Sequence, residues 1–491
     1  MVGRGVAALL LYFAFVGADE PTMQYDTIVI GLGSAGTTAA TTLARAGRRV
    51  LALEAQDRIG GRVNTVQFGD GVVELGAEWI HGTRPSRVYD TAIKNNITVL
   101  SQDLTMDAYS SDGRQTDKEL VNELVEFCLG QVENSTNDNL PLGDFLTKKL
   151  KEHLNATKPS ILQDEDFMEN FLDLMDQIVG NYEGSNSWND VSTFTHYQEL
   201  DGDQHMSWHR NGYKTFFELL LNTYQGGPGL ANLSIKLNTE VTKIAWPQKP
   251  LTPVEVTCQN GEVYKANNVI ITISIGVLKE RYTTLFTPSL PEEKVLAIQR
   301  LSMGVVDKVV ISYPNKWWPN SNAFWFNQTK QERDKAVKDS GWVTYFGSVP
   351  FGSSNTLTLW YNGDAAKLVE TLPEDVVKRK CVELLQRFLG ANVTVPEPTG
   401  MHRTTWFTNP FTRGSYSYDS VTSMKYPNSR ADLGRPLLDS AGVPKVLFAG
   451  EATDLTHFST VHGASDSGYR EAMRLLPNRQ DIKQAIDNLK S

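Results

Sequence analysis

A glycine-rich turn near the start of the chain has the residue types and spacing that suit phosphate binding. The apolar segment 25–30 leads into this turn, a run of small residues follows it, and a second apolar segment occupies 49–53. Glycines here allow a tight turn, close approach of the backbone to a pyrophosphate and close helix–strand packing, while an acid after the second strand accepts ribose hydroxyls. The spacing predicts a dinucleotide-binding β-α-β unit, although an ordinary α/β turn also carries glycines. Its candidate cofactor-binding residues are Gly31, Gly33, Ser34, Ala35, Gly36 and Glu54.

A second glycine loop follows this unit, and a third glycine break lies near the other end of the chain. Two adjacent glycines between two arginines suit a loop that wraps a pyrophosphate and offers it guanidinium forks. A nicotinamide enzyme would not need this second loop. Close to the C-terminus, the apolar segment 446–449 ends at a glycine and a carboxylate. We therefore expect the two ends of the chain to hold one cofactor, with the further candidates Arg58, Gly60, Gly61, Arg62, Gly450 and Glu451.

These segments, together with 76–82 and 459–468, resemble the flavin-containing amine oxidases, and among them the animal polyamine oxidases. The motifs occur in the family's order from residue 28 to residue 474, so the resemblance covers nearly the whole chain. It implies FAD as the cofactor. It also implies non-covalent binding, because Ser415 stands where some monoamine oxidases carry a flavin-linked cysteine. Further cofactor contacts implied by the resemblance are Gly76, Ala77, Glu78, Trp79, Val241, Trp406, Thr460 and Val461.

Four residues are candidates for the substrate chemistry. Lys308 interrupts an apolar strand pattern and matches the family lysine that holds a water against flavin N5. Tyr416 matches one wall of an aromatic cage that favours an amine cation. His81 can titrate near neutral pH and contact a substrate nitrogen, and Glu183 matches an acid of the polyamine tunnel. From the residues alone, each of the four has a structural alternative that remains open. Lys308 would be a surface lysine on an edge strand, Tyr416 a core aromatic, His81 a structural histidine and Glu183 a solvated acid.

The position of the second cage wall separates subfamilies. Monoamine and plant polyamine oxidases carry a tyrosine there, whereas this chain has Thr460. The resemblance therefore favours the animal spermine and acetylpolyamine oxidases, in which this side of the cage is open. Monoamine oxidase and L-amino-acid oxidase remain alternatives; the latter needs a cation for the substrate carboxylate, for which Arg413 is a candidate. A protein that only binds flavin or amines, without catalysis, is the alternative outside the enzymes.

The length of 491 residues predicts two or more domains. We expect an α/β (α+β) fold with a Rossmann-like FAD-binding domain and a discontinuous substrate-binding domain. The family architecture places the former at 19–105, 215–304 and 405–491, and the latter at 106–214 and 305–404. Helical apolar spacing is visible at 116–132 and 161–180, and strands are expected at 237–246, 254–257, 269–273 and 303–311.

Composition narrows the classes of partner. The net charge of −10 argues against nucleic acid, which requires a basic face, and suits a cationic substrate. His205 and His209 have helical spacing but lack the glutamate of a zinc-binding H-E-x-x-H motif, so no metal is expected. We found no G-x-S-x-G elbow. The expected partners are a polyamine and dioxygen; the oligomeric state stays open.

The N-terminal segment 1–18 reads as a secretory signal peptide, with Arg4 before an apolar stretch and small residues at 16–18. An uncleaved anchor is the alternative, and no later segment is apolar enough to span a membrane. The chain ends Leu489-Lys490-Ser491, unlike the Ser-Lys-Leu peroxisomal signal of some animal relatives. Three cysteines are too few for a disulfide framework. We expect a secreted glycoprotein with possible glycan acceptors at Asn96, Asn134, Asn155, Asn232, Asn327 and Asn392.

Overall fold

The computed structural model describes residues 25–477 apart from 134–137, 341, 343, 345 and 391–392. The predicted signal segment, the sequons at Asn134 and Asn392, and the C-terminal tripeptide lie outside the described residues. No helix in the described part of the chain is long and apolar enough to cross a membrane.

A large mixed sheet joins the two ends of the chain. Its centre is parallel: Ile28 pairs with Leu51 on one side and Val269 on the other, and Val269 in turn pairs with Val446. These strands are buried on both faces, which explains their continuous Val, Ile and Leu runs. Its nine strands within the described residues are Tyr25–Ile30, Val50–Leu53, Leu233–Lys236, Val241–Ala245, Val254–Cys258, Val263–Ile271, Phe286–Thr287, Leu437–Leu438 and Pro444–Phe448.

Two helices from opposite ends of the sequence pack against each other beside this sheet. The helix Ser34–Arg45 follows the glycine turn, and the helix Val461–Arg474 lies on it. Contact is close because small residues meet: a Cβ placed on Gly468 would lie 2.0 Å from the Ala35 carbonyl oxygen. The Thr38 and Ser465 hydroxyls also share a hydrogen bond of 2.9 Å. The helices Arg87–Lys94 and Lys214–Leu221 contact these two helices, whereas Ile275–Leu285, Glu292–Arg300 and Ser429–Gly434 pack on the opposite face of the sheet.

A second sheet carries the segment that contains Lys308. The strand Val306–Ser312 lies between Thr356–Asn362 and Gly400–Arg403, so it is an interior strand and not an edge strand. The other described strands of this sheet are Met106–Ser110, Ala323–Asn327 and Phe346–Ser348. The helices around it are Lys118–Glu133, Leu142–Thr157, Pro159–Leu162, Glu165–Glu183, Lys330–Ser340, Gly363–Thr371 and Glu374–Leu389.

Short strands connect the two sheets. Thr65–Phe68 pairs with Gly71–Glu74, and Ser302–Met303 pairs with Ser417–Tyr418. Met206–Ser207 pairs with both Trp79–Ile80 and Leu100–Ser101.

The predicted α/β fold is confirmed. The strand expected over 237–246 begins later, at Val241, because the residues before it form a turn. The strand expected over 269–273 begins earlier, at Val263, and ends at Ile271, because its first half forms a hairpin with Val254–Cys258. The strands of each sheet fall within the ranges predicted for one domain, and the domain boundaries themselves stay a prediction.

Candidate active site

A single cavity of about 1050 Å³ runs from the glycine turn to the helix Lys118–Glu133. It is lined by every predicted cofactor-binding and catalytic residue except Gly36 and Arg58. The structure therefore brings together segments from both ends and from the middle of the sequence. We describe its two parts separately: the cofactor half beside the large sheet, and the substrate arm beyond Lys308.

The glycines of the cofactor half form a cradle that larger residues would fill. Gly31 has a φ of +92°, and a Cβ on Gly61 would lie 3.3 Å from the Gly33 Cα atom. Gly450 has a φ of +124°, and a Cβ there would meet nothing nearer than the Thr272 carbonyl oxygen at 4.0 Å. Gly36 acts differently, because its Cβ would lie 1.9 Å from the Gly31 oxygen. Gly36 therefore permits helix–strand packing and does not face the cavity.

Glu54 fixes the turn from the end of the second strand. Its Oε2 accepts the Leu32 N–H at 2.7 Å, and its Oε1 accepts the Gln56 N–H at 2.9 Å. Burial raises the pKa of Glu54, while these backbone donors and Arg58 oppose the shift. Each oxygen keeps a second lone pair, so the carboxylate can hold the turn and still accept ribose hydroxyls.

The two arginines of the second loop have different roles. Arg58 donates to the carbonyl oxygens of Val63 at 3.0 Å and Gly61 at 2.7 Å. Arg58 therefore holds its own loop and does not line the cavity, and its role as a cofactor contact stays a prediction. Arg62 lines the cavity and donates to Glu451 at 2.9 Å and to the Ser415 carbonyl at 2.7 Å.

The ion pair between Arg62 and Glu451 joins the N-terminal loop to the C-terminal segment. Glu451 also accepts from the Ser417 hydroxyl at 2.6 Å and the Ser459 N–H at 3.0 Å. Burial alone would raise the pKa of Glu451, but Arg62 and these hydrogen bonds hold it below its usual value. The carboxylate is therefore ionised, as pairing with a guanidinium requires.

Thr460 and Val461 begin the C-terminal helix at the cavity wall. The Thr460 hydroxyl accepts the Gly463 N–H at 3.0 Å and donates to the His457 carbonyl at 2.7 Å. It is thus an N-cap, which a tyrosine at this position could not provide. Beside it, the Ser415 hydroxyl donates to the Val306 carbonyl at 2.7 Å and carries no sulfur for a covalent link.

Lys308 is buried at the junction of the two parts. Its ammonium group donates to the carbonyl oxygens of Glu74 and Gly76 and to Glu78 Oε2, each at 2.9 Å. It also lies 4.3 Å from the ring centroid of Trp360, which stacks on Trp79 with the rings 5.8 Å apart. The alternative of a surface lysine is excluded by this burial.

The loop after Thr404 holds Trp406 against the cavity by two buried acids. Asp307 accepts from the Thr404 hydroxyl at 2.5 Å and from the Trp406 N–H at 3.3 Å. Glu370 accepts the N–H groups of the next two residues, Phe407 and Thr408, each at 2.7 Å. Burial and the neighbouring Glu370 raise the pKa of Asp307 well above its usual range. The protonated form of Asp307 is therefore favoured.

His81 lies in the substrate arm among other aromatic groups. Its ring is 6.5 Å from those of Trp79 and His205. Burial, with a smaller contribution from His205, lowers the pKa of His81 to about 4. The expectation that His81 titrates near neutral pH is therefore wrong: the imidazole is neutral under physiological conditions and acts as a hydrogen-bonding group.

Tyr416 and Glu183 meet on the opposite wall of the arm. The Tyr416 hydroxyl donates to the Asn181 carbonyl at 2.5 Å, close to the end of the helix Glu165–Glu183. This helix ends at Gly184, whose left-handed φ of 73° suits glycine. Burial raises the pKa of Glu183 to about 7, and the nearby Asp419 adds to the shift while Arg430 opposes it.

Other cavity residues carry no local sequence signal. Trp360 lies in the middle of an apolar strand, and His205 follows an acidic loop that reads as solvated. Asp419 pairs with Arg430 at 2.9 Å, and the Arg430 guanidinium lies 3.6 Å from the Phe458 ring centroid. Trp360, His205, Asp419 and Phe458 reach the cavity through long-range packing, so the pairing of distant segments was needed to find them.

Residues 34–476 match the family described as flavin containing amine oxidoreductase. The chain belongs to this family, and FAD is its cofactor. The glycine cradle, Glu54 and the Arg62–Glu451 pair fit that dinucleotide, with Gly31 and Gly450 in conformations that favour glycine. The match covers both parts of the cavity and the whole second sheet, and it begins just after the strand Tyr25–Ile30 and the glycines Gly31 and Gly33.

Several known proteins resemble the chain over most of its length. The peroxisomal N(1)-acetyl-spermine/spermidine oxidase of Bos taurus is 29% identical over 502 residues, which cover 94% of this chain and 96% of that protein. The Homo sapiens protein of the same name is 30% identical, covering 91% and 94%. The probable polyamine oxidase 5 of Arabidopsis thaliana is 27% identical, covering 91% and 97%. A triple variant of putrescine oxidase shares the fold, with a TM-score of 0.67, 18% identity and coverage of 93% and 99%.

Proposed function

We propose that the protein is a secreted, FAD-dependent polyamine oxidase that uses dioxygen. It would oxidise an amine C–N bond of spermine, spermidine or an N-acetylated derivative to give an aldehyde, an amine and hydrogen peroxide. The observation that carries this proposal is Glu183, a carboxylate in the arm of the same cavity that holds the cofactor residues and Lys308. A polyamine has further cationic nitrogens beyond the reacting one, and such an acid can bind them.

The charges of the cavity favour an amine over an amino acid. Its basic side chains within the described residues are Arg62, Arg281 and Lys308, and each is paired with a glutamate. Arg413, the candidate for binding a substrate carboxylate, does not line the cavity and pairs with Glu280. An L-amino-acid oxidase would therefore lack a free cation for its substrate in this arm.

The side chains of the arm suit the binding of an elongated amine. Glu183 would hold a distant ammonium group, and the Tyr416 ring would form an aromatic wall beside the reacting end. The neutral His81 would accept a hydrogen bond from a substrate nitrogen without repelling its charge. The chemistry that bound FAD supplies is acceptance of a hydride from the carbon next to the nitrogen. The residues orient that carbon and exclude water.

The proposal is tested by assaying the purified full-length protein for peroxide release. We expect a yellow flavoprotein that turns over spermine, spermidine or N-acetylspermine, with little activity on tyramine or leucine. Peroxide release with leucine or tyramine alone would contradict the polyamine assignment and favour one of the alternative oxidases. A protein that binds amines but releases no peroxide with any of the five would support the non-catalytic alternative.

Secretion is part of the proposal because the sequence carries a signal-like segment and several sequons. Of the described sequons, Asn96, Asn155 and Asn232 are exposed, whereas Asn327 is partly buried. Expression in a secretory host should yield protein in the medium that shifts in mass on treatment with a peptide N-glycosidase. Variants Asn96→Gln and Asn155→Gln should each remove one glycan. Unglycosylated protein retained in the cells would contradict secretion; the bovine and human relatives are named as peroxisomal.

A further inference from the structure

Two lysines of this protein are buried with three oxygen acceptors each, and their surroundings differ in one respect. Lys294 donates to the carbonyl oxygens of Asp432, Leu433 and Arg435 at 2.6, 2.7 and 2.6 Å. Burial lowers the pKa of Lys294 to about 7. Three carbonyl oxygens therefore do not fully compensate the cost of burying an ammonium group, and Lys294 lies outside the cavity.

At Lys308 a carboxylate replaces one of the three carbonyls. Glu78 lies 2.9 Å from the Lys308 nitrogen, and the two side chains are only 6% and 4% exposed. Both residues line the cavity, so the pair forms part of the wall that the cofactor faces. A buried charge of this kind is retained when a counter-charge is in direct contact.

The three hydrogen bonds also use the whole donor capacity of Lys308. An ammonium group has three N–H donors and no acceptor. Glu74, Gly76 and Glu78 take all three of them. Glu78, a predicted cofactor contact that lines the cavity, is also the ionic partner of the lysine.

We propose that Glu78 is a positioning residue that fixes Lys308 as a charge-compensated cation, so that the lysine acts on the flavin as half of a neutral pair. The proposal rests on FAD as the cofactor and is independent of the substrate. It assigns Glu78 a part in setting how readily the bound flavin is reduced.

The net charge of the Lys308–Glu78 pair in each variant predicts how the reduction potential of the flavin changes. Glu78→Gln leaves an uncompensated positive charge beside the cofactor, which favours the electron-rich reduced flavin. We expect the equilibrium constant for two-electron reduction to rise about tenfold, which corresponds to about 30 mV in the reduction potential. Lys308→Met leaves an uncompensated carboxylate and should lower the potential. The double variant is neutral again and should return near the wild-type value.

The pH dependence of the potential provides a second measurement. Without Glu78, a buried ammonium loses its proton more readily, so Glu78→Gln should show a titration between about pH 6 and 9 that the double variant lacks. Other ionisable groups face this region: Glu74 on the neighbouring strand, Asp307 with Glu370 behind the Trp406 loop, and His402 on the adjacent strand. Glu74 has a pKa of about 7 and interacts with Lys308, so the titration is assigned to the lysine only if it persists when Glu74→Gln is added to Glu78→Gln.

The experiment measures the reduction potential of the bound flavin in the purified holoenzymes from pH 6 to 9, with Glu78→Asp as the conservative variant. Glu78→Asp keeps the charge and should stay near the wild-type potential. If Glu78→Gln does not bind flavin, two results still test the pair: a lower reduction potential in Lys308→Met, and a potential near the wild-type value in the double variant. An unchanged potential and pH profile in the single variants, a titration that persists in the double variant, or a Glu78→Asp variant that behaves like Glu78→Gln would overturn the proposal.

Discussion

The cofactor half and the substrate arm of the cavity differ in how their ionisable groups are paired. In the cofactor half, Arg62 is paired with Glu451 at 2.9 Å, and Lys308 at its boundary is paired with Glu78 at 2.9 Å. In the arm, Asp419 is paired with Arg430, but Glu183 and His81 have no counter-ion in contact among the described residues, and burial moves the pKa of each towards its neutral form. The cationic groups beside the cofactor residues are thus compensated within the protein, whereas Glu183 is not.

The largest expected effect tests the boundary between the two parts. Lys308→Met should retain FAD, because the glycine cradle and the Arg62–Glu451 pair remain, but should slow flavin reduction or reoxidation on the order of 100-fold or more. Stopped-flow absorbance separates the two half-reactions. Lys294→Met is the matched control: it removes a buried lysine with three acceptors outside the cavity and should change stability with little change in either rate. Unchanged kinetics in Lys308→Met would contradict its assignment.

The next effect concerns the pairing within the cofactor half. Glu451→Gln leaves the Arg62 guanidinium without its counter-ion, and breaking such a pair costs about 3–5 kcal/mol when it is fully buried. Since Arg62 is partly exposed, we expect about 2 kcal/mol, seen as a lower unfolding midpoint and faster loss of FAD. Glu471→Gln provides the control, because Glu471 is buried and pairs with Arg470 and Arg474 outside the cavity. Equal FAD loss in both variants would show that the effect is general destabilisation.

A smaller effect tests whether the arm is completed by a cation. Glu183 has a pKa of about 7, so its carboxylate forms as the pH rises through 7, and kcat/KM for a polyamine should rise over the same range. Glu183→Gln should abolish this rise and increase KM about tenfold, as expected from the loss of a charge-assisted hydrogen bond. Glu169→Gln, on the same helix but paired with Lys330, is the control. A pH profile that is the same in Glu183→Gln and wild type would place the titration elsewhere.

The raised pKa of Glu183 has the opposite consequence for the stability of the folded protein. The folded-state pKa of Glu183 is raised above its usual value of 4.5, so between pH 4.5 and 7 the folded protein binds more protons than the unfolded chain. Stability from this group is therefore present at low pH and is lost as the pH rises through 7. Without substrate, Glu183→Gln should stabilise the protein at pH 8 and have little effect at pH 4.5. Thermal unfolding at the two pH values measures this difference.

Sequence and structure agree best where chemistry depends on backbone geometry. The turn at Gly31 and the break at Gly450 were predictable because pyrophosphate binding requires glycines at fixed positions along a strand–turn–helix unit. The loop contacts of Arg58 were not predictable, because a guanidinium can serve either a ligand or its own loop, and spacing does not distinguish the two. Trp360 and His205 were missed because they reach the cavity through strand pairing and packing over long sequence separations, for which local patterns carry no signal.

The smallest expected effect concerns the loop that connects the two halves. Glu370→Gln removes a carboxyl group that raises the pKa of Asp307 and weakens one of the two backbone hydrogen bonds at Phe407 and Thr408. We expect a loss of about 1 kcal/mol in stability and a change in the fluorescence of Trp406, whose loop these acids hold. Adding Trp406→Phe identifies that signal by removing it. Because Asp307 and Glu370 lie behind the cavity wall, the potential of the bound flavin should shift far less than in Glu78→Gln. A shift in the flavin potential as large as that of Glu78→Gln would mean that Asp307 and Glu370 also set the charge beside the flavin. The distinction between a compensated cofactor half and an uncompensated arm would then no longer rest on Lys308 and Glu78 alone.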